Sequence, residues 1–554
     1  MEFTTPAGFR DVVSDEAEAR ERIARKVADL FAENGYVPLE TPTLERMDVI
    51  EAGGRVPASP FRFFDAASDL VTLRPDVTLQ VARMCSTRLR DAEGPLRFRY
   101  MQRVFRDVGS RNRAEVREKK QIGIECIGLD GPKADAEVIG LFIRALEAAG
   151  VRHFTLSLAS VAVLRCLLAR AAASEGWKQE VLESFHQSNF VALDSLCADV
   201  TDETAPIARA IAALARIAGG REAIDEVQRL VEPFGCAGAL EPFRQTYGEL
   251  ERRGLAEAVV IDFSVMSSFD YYTGIVFQAF AEGLGTSLGG GGRYDSLLGL
   301  FGPARPAAGF AFFLEDAMAA AAVQGTGELP AERPLRIAVP KGSLNGDAIA
   351  ALAEAGLDTA GLEDPGRSLI VCNPGVEYFI VRPSDAPVFV EMGAADCGIC
   401  GEDSLLETEA EVVELADLRF GACRFIVAQL AGSEAAVQEH YRRLGSLRVA
   451  TKYPRIARAH FARRGTQVEV VQLHGNIELG PLTGMSECIV DITATGTTLR
   501  ENNLEVTDEV LASTARFFAN SASFRTDPRV RSLAGRLREQ AQGKALKVTA
   551  GGAA

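Results

Sequence analysis

A chain of 554 residues exceeds what one hydrophobic core holds, and roughly 150 residues per domain predicts three or four folded units. With 47% apolar and 25% charged residues it reads as globular; no apolar run reaches the roughly 20 residues that span a bilayer, and the start "MEFTTPAGFRDVV" lacks the basic-then-apolar order of a signal peptide. A cytoplasmic location without a membrane partner is expected, and the net charge of -16 opposes nonspecific hold on a phosphate backbone, so no nucleic-acid partner is expected either.

The first block, Thr5 to about Gly150, alternates helical and strand patterns, opening on "SDEAEARERIARKVADLFAENGY", a helix that Ser14 is placed to cap. Leu156 to Gly254 is rich in Ala, Leu and Arg at helical spacing and reads as a helical insertion. Strands return in "EAVVIDFS" and "GIVFQAF", and the run "GTSLGGGGRYD" permits a tight turn or a close backbone approach. The polar, proline-bearing "VQGTGELPAERP", Val323 to Pro334, reads as a linker. The ten cysteines are scattered rather than set in a disulfide framework, so reduced thiols are expected. Cys397 and Cys400 form a Cys-x-x-Cys, but no second Cys/His pair stands at metal spacing, which favours buried packing thiols over a metal site.

Beyond the linker, strands and helices alternate, which predicts parallel sheets joined by crossover helices. "LRIAVPKGS" at Leu335 and "LRVATKYPR" at Leu447 each read as a strand, a turn carrying a lysine (Lys341, Lys452) and a helix. Two similar α/β lobes facing a cleft are expected, with ligands beyond the carboxyl ends of the strands. In "ECIVDITATGTTLRENN" the β-branched "CIVDI" is a strand and Thr493 to Thr498 a turn into a helix. Gly496 lets the backbone approach a ligand, and exposed N–H groups with threonine hydroxyls suit an anion. Asp491 is placed to accept hydrogen bonds from two vicinal hydroxyls of an attached sugar. The alternative is a threonine-rich turn capped by its own hydroxyls.

The same stretch resembles the phosphoribosyl pyrophosphate loop of phosphoribosyltransferases, and "LGPLTGMSECIVDITATGTTL" looks like the signature of ATP phosphoribosyltransferase. Resemblance to its short form runs from Leu335 to Lys547 through "RIAVPKG", "VRPSDAPVFVEMGAADCGICGEDSLLE", "LADLRFGACRFIVA", "VATKYPRIARAHF" and "SARFFANSASF". It implies the first step of histidine biosynthesis, attack of ring nitrogen 1 of ATP on phosphoribosyl pyrophosphate, with Mg2+ escorting the pyrophosphate. It also implies a two-lobed, periplasmic-binding-protein-like α/β fold. On this resemblance Thr493, Ala494, Thr495, Gly496, Thr497 and Thr498 hold the 5-phosphate, Asp491 the ribose hydroxyls, and Glu478 lies near the ribose or the metal. Lys341, Arg382 and Lys452 surround pyrophosphate or the ATP phosphates, with Asp396 near the purine. For the lysines the alternative is a solvated charge at a strand end. Where the family has an arginine after "PKG" this chain has Ser343, which leaves open how the ATP phosphates are held.

The first block resembles class II histidyl-tRNA synthetases over about Thr5 to Val323, in "LRPDVTLQVAR", "RYMQRVFRDV", "QIGIECIG", "FDYYTGIVFQAF", "GGGGRYDSLLG" and "PAAGFAFFLED". The implied core is an antiparallel sheet that dimerises around "VPLETPTLE". Ser267 and Asp316 stand where the synthetase carries arginines, and Val108 replaces an acid. A serine supplies no charge and an aspartate repels ATP phosphates, so amino-acid activation is not expected. This combination looks like the regulatory subunit of short-form ATP phosphoribosyltransferases, here fused ahead of the enzyme. The resemblance implies histidine as inhibitor, with Asp76, Gln121, Glu125, Tyr271, Tyr272 and Tyr294 as effector contacts; the alternative is that these polar groups satisfy one another. The expected domains are 1–323 (insertion about 156–254), linker 324–334, and a catalytic domain 335–554 with lobes of about 335–420 plus 505–547 and of about 421–504. An inactive, histidine-sensing assembly protein is the competing expectation.

Overall fold

The computed structural model describes residues 3–54, 61–106, 116–200, 203–265, 271–325, 333–493 and 496–551, with side chains to 543. The chain divides into one unit of Met1–Ala331 with Ser521–Thr526 and another of Glu332–Asn520 with Asp527–Ala554. Most of the expected linker, 326–332 of it, lies outside the described residues. No described helix is long and apolar enough to cross a membrane.

The first unit is built on a nine-stranded, mainly antiparallel sheet, in the order Val37–Pro38, Leu96–Phe105, Glu118–Ile127, Ala307–Phe313, Ser287–Arg293, Ile275–Ala281, Phe154–Ser160, Val259–Asp262, Ala218–Gly219. Helix Pro132–Ala148 lays Phe142 on Phe277, Phe310 and Phe312, with ring centroids 5.5, 4.9 and 6.4 Å away. Helix Ser14–Glu33 adds Phe31 against Phe310 at 5.8 Å. Ser14 does not cap that helix: it is the first helical residue, at φ 50°, and Val13 occupies the cap position without a side-chain hydrogen bond. The glycine run is a strand rather than a turn, and close approach explains it. A Cβ on Gly291 would lie 2.1 Å from the Gly309 carbonyl, and one on Gly292 would lie 2.7 Å from the Tyr272 ring. The helical insertion starts later than residue 156, because Phe154–Ser160 pairs within the central sheet; its first helix is Val161–Arg170.

In the second unit a six-stranded sheet runs Ile370–Asn373, Val376–Val381, Leu335–Pro340, Cys397–Gly401, Ala515–Asn520, Val412–Asp417. A five-stranded sheet runs Val468–Gln472, Leu447–Thr451, Cys488–Thr493, Cys423–Leu430, Leu504–Ser513. Leaving out the edge strand Ile370–Asn373, the two share one pattern: three parallel strands with the lysine-preceding strand in the middle, then a strand antiparallel to them, then another antiparallel to that one. The sheets are therefore mixed, not purely parallel. Strand Leu504–Ser513 pairs with Cys423–Leu430, so the second lobe extends to Ser513, past the expected boundary at 504.

Cys397 and Cys400 lie on one buried strand, an odd number of residues apart, so their thiols face opposite sides of the sheet and burial holds both well above the usual thiol range. They are packing thiols. The expectation of ten reduced cysteines fails at Cys166 and Cys236, which form a disulfide across 70 residues; the fold brings helix Val161–Arg170 beside the start of helix Ala237–Arg252, a juxtaposition that spacing does not reveal. The Cys236→Ser variant is expected to lose about 2–4 kcal/mol of unfolding free energy under oxidising conditions, and nothing relative to wild type in excess dithiothreitol, by urea denaturation.

Candidate functional sites

In the second unit Lys341, Arg382, Lys452 and Asp491 lie at or near the carboxyl ends of parallel strands. Lys341 follows strand Leu335–Pro340 and Arg382 follows Val376–Val381; Pro340 and Val381 are in register, so the two exposed cations are neighbours, and Lys341 N donates to Val381 O at 2.8 Å. In the second lobe, Lys452 follows Leu447–Thr451, and Asp491 lies two residues before the end of Cys488–Thr493. Burial lifts the Asp491 carboxyl to about 6; the N–H of Ile492, donating at 2.8 Å, opposes the rise, Glu478 adds to it, and Lys452 pulls the other way. Asp491, Glu478 and Lys452 thus share one electrostatic neighbourhood. Thr493 Oγ1 accepts from Gly496 N at 2.8 Å, with Gly496 at φ +69°, and Thr497 and Thr498 are exposed on the helix that follows. Ala494 and Thr495 lie outside the described residues.

Asp396 is not part of this cluster. It precedes strand Cys397–Gly401, at the end of the sheet opposite Lys341, and Arg333 and Arg336 bind both its oxygens at 2.8 to 3.0 Å. Burial disfavours its charge, but the two guanidiniums win and hold it at about 2. The expectation that it meets the purine does not fit this placement. Ser343 is exposed in the turn Gly342–Leu344. The structure adds Asp403, which sequence reasoning passed over inside "GEDSLLE". It belongs to the first lobe, is bonded to Ser513 Oγ at 3.0 Å, and lies in the field of Lys452.

In the first unit all six expected effector residues are buried. Gln121 and Glu125 stand four apart on strand Glu118–Ile127 and so share a face. Gln121 Nε2 donates to Asp76 Oδ1 at 2.9 Å, and its Oε1 accepts from Val77 N at 3.2 Å. Thr78 Oγ1 donates to Glu125 Oε1 at 2.7 Å, Tyr100 to the same oxygen at 3.3 Å, and Tyr294 to Oε2. Tyr271 packs on Tyr272 and Tyr294 with centroids 4.8 and 5.7 Å away. Burial pushes Glu125 up to about 8 despite those hydroxyls. Tyr100 and Thr78 were missed, although both lie within the strings that resemble the synthetase. Asp316, in place of a nucleotide-binding arginine, pairs with Lys119 at 2.9 Å. Ser267 and Val108 lie outside the described residues.

A profile of the family described as "Histidyl-tRNA synthetase" matches residues 8–317, and one described as "ATP phosphoribosyltransferase" matches 382–539. An ATP phosphoribosyltransferase of Rubrobacter xylanophilus is 54% identical over 193 residues, 35% of this chain and 89% of that protein. An ATP phosphoribosyltransferase regulatory subunit of Moorella thermoacetica is 36% identical over 318 residues, 56% of this chain and 80% of that protein. The chain belongs to the ATP phosphoribosyltransferase family. It joins in one polypeptide the regulatory and catalytic parts that these relatives carry separately. A solved structure titled as an ATP phosphoribosyltransferase regulatory subunit/histidyl-tRNA synthetase from Bacillus halodurans C is 26% identical, covers 68% of this chain and 98% of its own, and superposes with a TM-score of 0.54.

Asp491 in this ATP phosphoribosyltransferase has a folded pKa of about 6 against an ordinary 3.8. A raised acid destabilises the fold only when ionised there, so the penalty is absent below its ordinary value and complete above its folded one. Asp491→Asn is expected to raise the unfolding free energy by about 1–3 kcal/mol near pH 8 and by nothing near pH 4, by denaturant titration at both.

Proposed function

We propose that the second unit seats attack of ring nitrogen 1 of ATP on the anomeric carbon of phosphoribosyl pyrophosphate, at the cluster of Asp491, Lys452 and the Thr493–Thr498 turn. The reading is carried by one observation: a half-buried carboxylate and a lysine share an electrostatic neighbourhood beside a glycine-bent, hydroxyl-bearing turn at the carboxyl end of a strand. The matching strand orders of the two lobes support a two-lobed, periplasmic-binding-protein-like arrangement around it. The turn holds the 5-phosphate with N–H and hydroxyl donors, and Asp491 accepts the ribose hydroxyls, which the elevated basicity of a half-buried carboxylate favours. The N1–C1′ bond forms as the C1′–O bond breaks, and the electron pair leaves on pyrophosphate. Lys341, Arg382 and Lys452 supply positive charge for the leaving pyrophosphate and for the ATP phosphates. Orientation of two bound nucleotides provides much of the remaining rate.

Among the described residues no group of three or more His, Cys, Asp or Glu side chains could hold a metal by itself. Mg2+ fits a different mode, with one or two carboxylates plus substrate phosphates; Glu478 and Asp491 are the carboxylates available. When bound it would neutralise charge on pyrophosphate.

For the first unit we propose histidine as the effector, its ammonium and imidazole met by Asp76, Gln121 and Glu125 within the Tyr271, Tyr272 and Tyr294 walls. Supporting this is an acid lifted to about 8 and ready to ionise beside a cation. A homo-oligomer through this unit is supported by Leu44, Phe63, Phe64 and Leu70, which the three-stranded sheet of Leu44–Arg46, Arg62–Phe64 and Leu70–Leu73 leaves exposed.

Purified protein with ATP, phosphoribosyl pyrophosphate and magnesium is expected to form phosphoribosyl-ATP, and histidine to suppress it. Asp491→Ala should lower turnover by about a hundredfold or more, and Glu125→Gln should raise the histidine concentration for half-suppression by about tenfold. Wild-type-like turnover of the Asp491 variant would remove the donor placement, and unchanged suppression in the Glu125 variant would remove the effector site.

A further inference from the structure

Helix Pro454–Arg463 starts two residues after Lys452 and opens on a proline, which has no N–H. The next N–H groups, of Arg455 and Ile456, are donors that the helix cannot pair internally, and the cap residue Tyr453 offers no side-chain acceptor. A carboxylate from the other lobe takes both. Glu407 Oε2 accepts from Arg455 N and from Ile456 N, each at 3.1 Å. Arg455 answers by donating Nη1 to the carbonyls of Glu407 at 3.2 Å and Thr408 at 3.0 Å, the last of helix Glu402–Thr408, and it lies 3.1 Å from Glu409. Each helix therefore caps the other across the lobe boundary.

The same face of helix Glu402–Thr408 carries Asp403, one turn before Glu407. Asp403 meets the field of Lys452, and Tyr453 feels both Asp403 and Asp491. Between the capped helix and strand Leu447–Thr451 lies only the turn of Lys452 and Tyr453, pinned at its start where Tyr453 N donates to Thr451 Oγ1 at 2.9 Å. A turn held at both ends has little freedom to swing its lysine.

We propose that Glu407 is a positioning residue for the transferase reaction: by capping helix Pro454–Arg463 from the opposite lobe, it fixes the turn that sets Lys452 between Asp403 and Asp491. This rests on the placement of the phosphoribosyl donor at Asp491. Glu407 is committed to the backbone of Arg455 and Ile456, so its effect runs through Lys452.

The test is a double-mutant cycle in the full-length chain, with kcat and KM for each substrate in wild type, Glu407→Ala, Lys452→Ala and the double variant. Glu407→Ala is expected to lower kcat/KM for phosphoribosyl pyrophosphate on the order of tenfold. Adding it to Lys452→Ala should cost nothing further, because the two losses are one. Glu407→Gln, whose amide oxygen still accepts, should recover part of the rate and stands in for the alanine if that variant does not fold. A Glu407→Ala enzyme of wild-type efficiency, or losses that multiply in the double variant while Lys452→Ala alone is deep, overturns the positioning role and leaves the donor site standing. A Lys452→Ala enzyme of full efficiency removes Lys452 from the site itself, and the positioning role with it.

Discussion

The donor site proposed for the second unit depends on the desolvation of a single carboxylate. Asp491 sits inside a strand, in an environment that lifts it to about 6, and the opposing pull of Lys452 is smaller than the burial that raises it. A carboxylate kept from full solvation and from a committed guanidinium is a strong hydrogen-bond acceptor. The surrounding fold serves that condition. The middle strand of the second lobe delivers Lys452 from one side, the glycine-bent turn delivers donors from the other, and the first lobe brings Asp403 against the same lysine.

Asp396 shows what the same residue type becomes when the fold commits it. It is fully buried in the second unit where Asp491 is half-buried, yet two arginines from the start of the neighbouring strand take both oxygens and hold it at about 2. An acid so saturated ties Arg333 and Arg336 to the sheet and has nothing left for a ligand. The difference between the two aspartates is their place on parallel strands, one at the amino end and one near the carboxyl end, and that is the rule by which open α/β sheets bind ligands.

This contrast also marks what the amino-acid sequence discloses. The paired lysine-bearing starts and the class II core were legible because each has a local signature: a repeated strand-turn-helix in one, a set of matching strings in the other. The Asp396 role was misread because membership in a matching string says nothing of which strand end a residue occupies. Glu407, Arg455 and Asp403 were invisible for a related reason. Their partners lie 47 to 110 residues away, and reciprocal capping between two helices has no sequence pattern. The Cys166–Cys236 pair, 70 residues apart, escaped in the same way. The strand boundary at Ser513 escaped because the chain leaves the second lobe in mid-extension, Ser513 ending one strand and Ala515 opening the next, with no turn residue to announce it.

In the first unit the buried polar groups are committed to one another. Asp316 pairs with Lys119 at 2.9 Å, so a carboxylate and an ammonium occupy each other there. The Asp76, Gln121 and Glu125 face is built with close backbone support. Gly309 is bare where a Cβ would lie 2.0 Å from the Glu125 carboxyl, and Gly292 is bare beneath the Tyr272 ring. Burying a carboxyl lifted to about 8 works against the fold. The hydroxyls of Thr78, Tyr100 and Tyr294 meet that carboxyl and offset part of the cost.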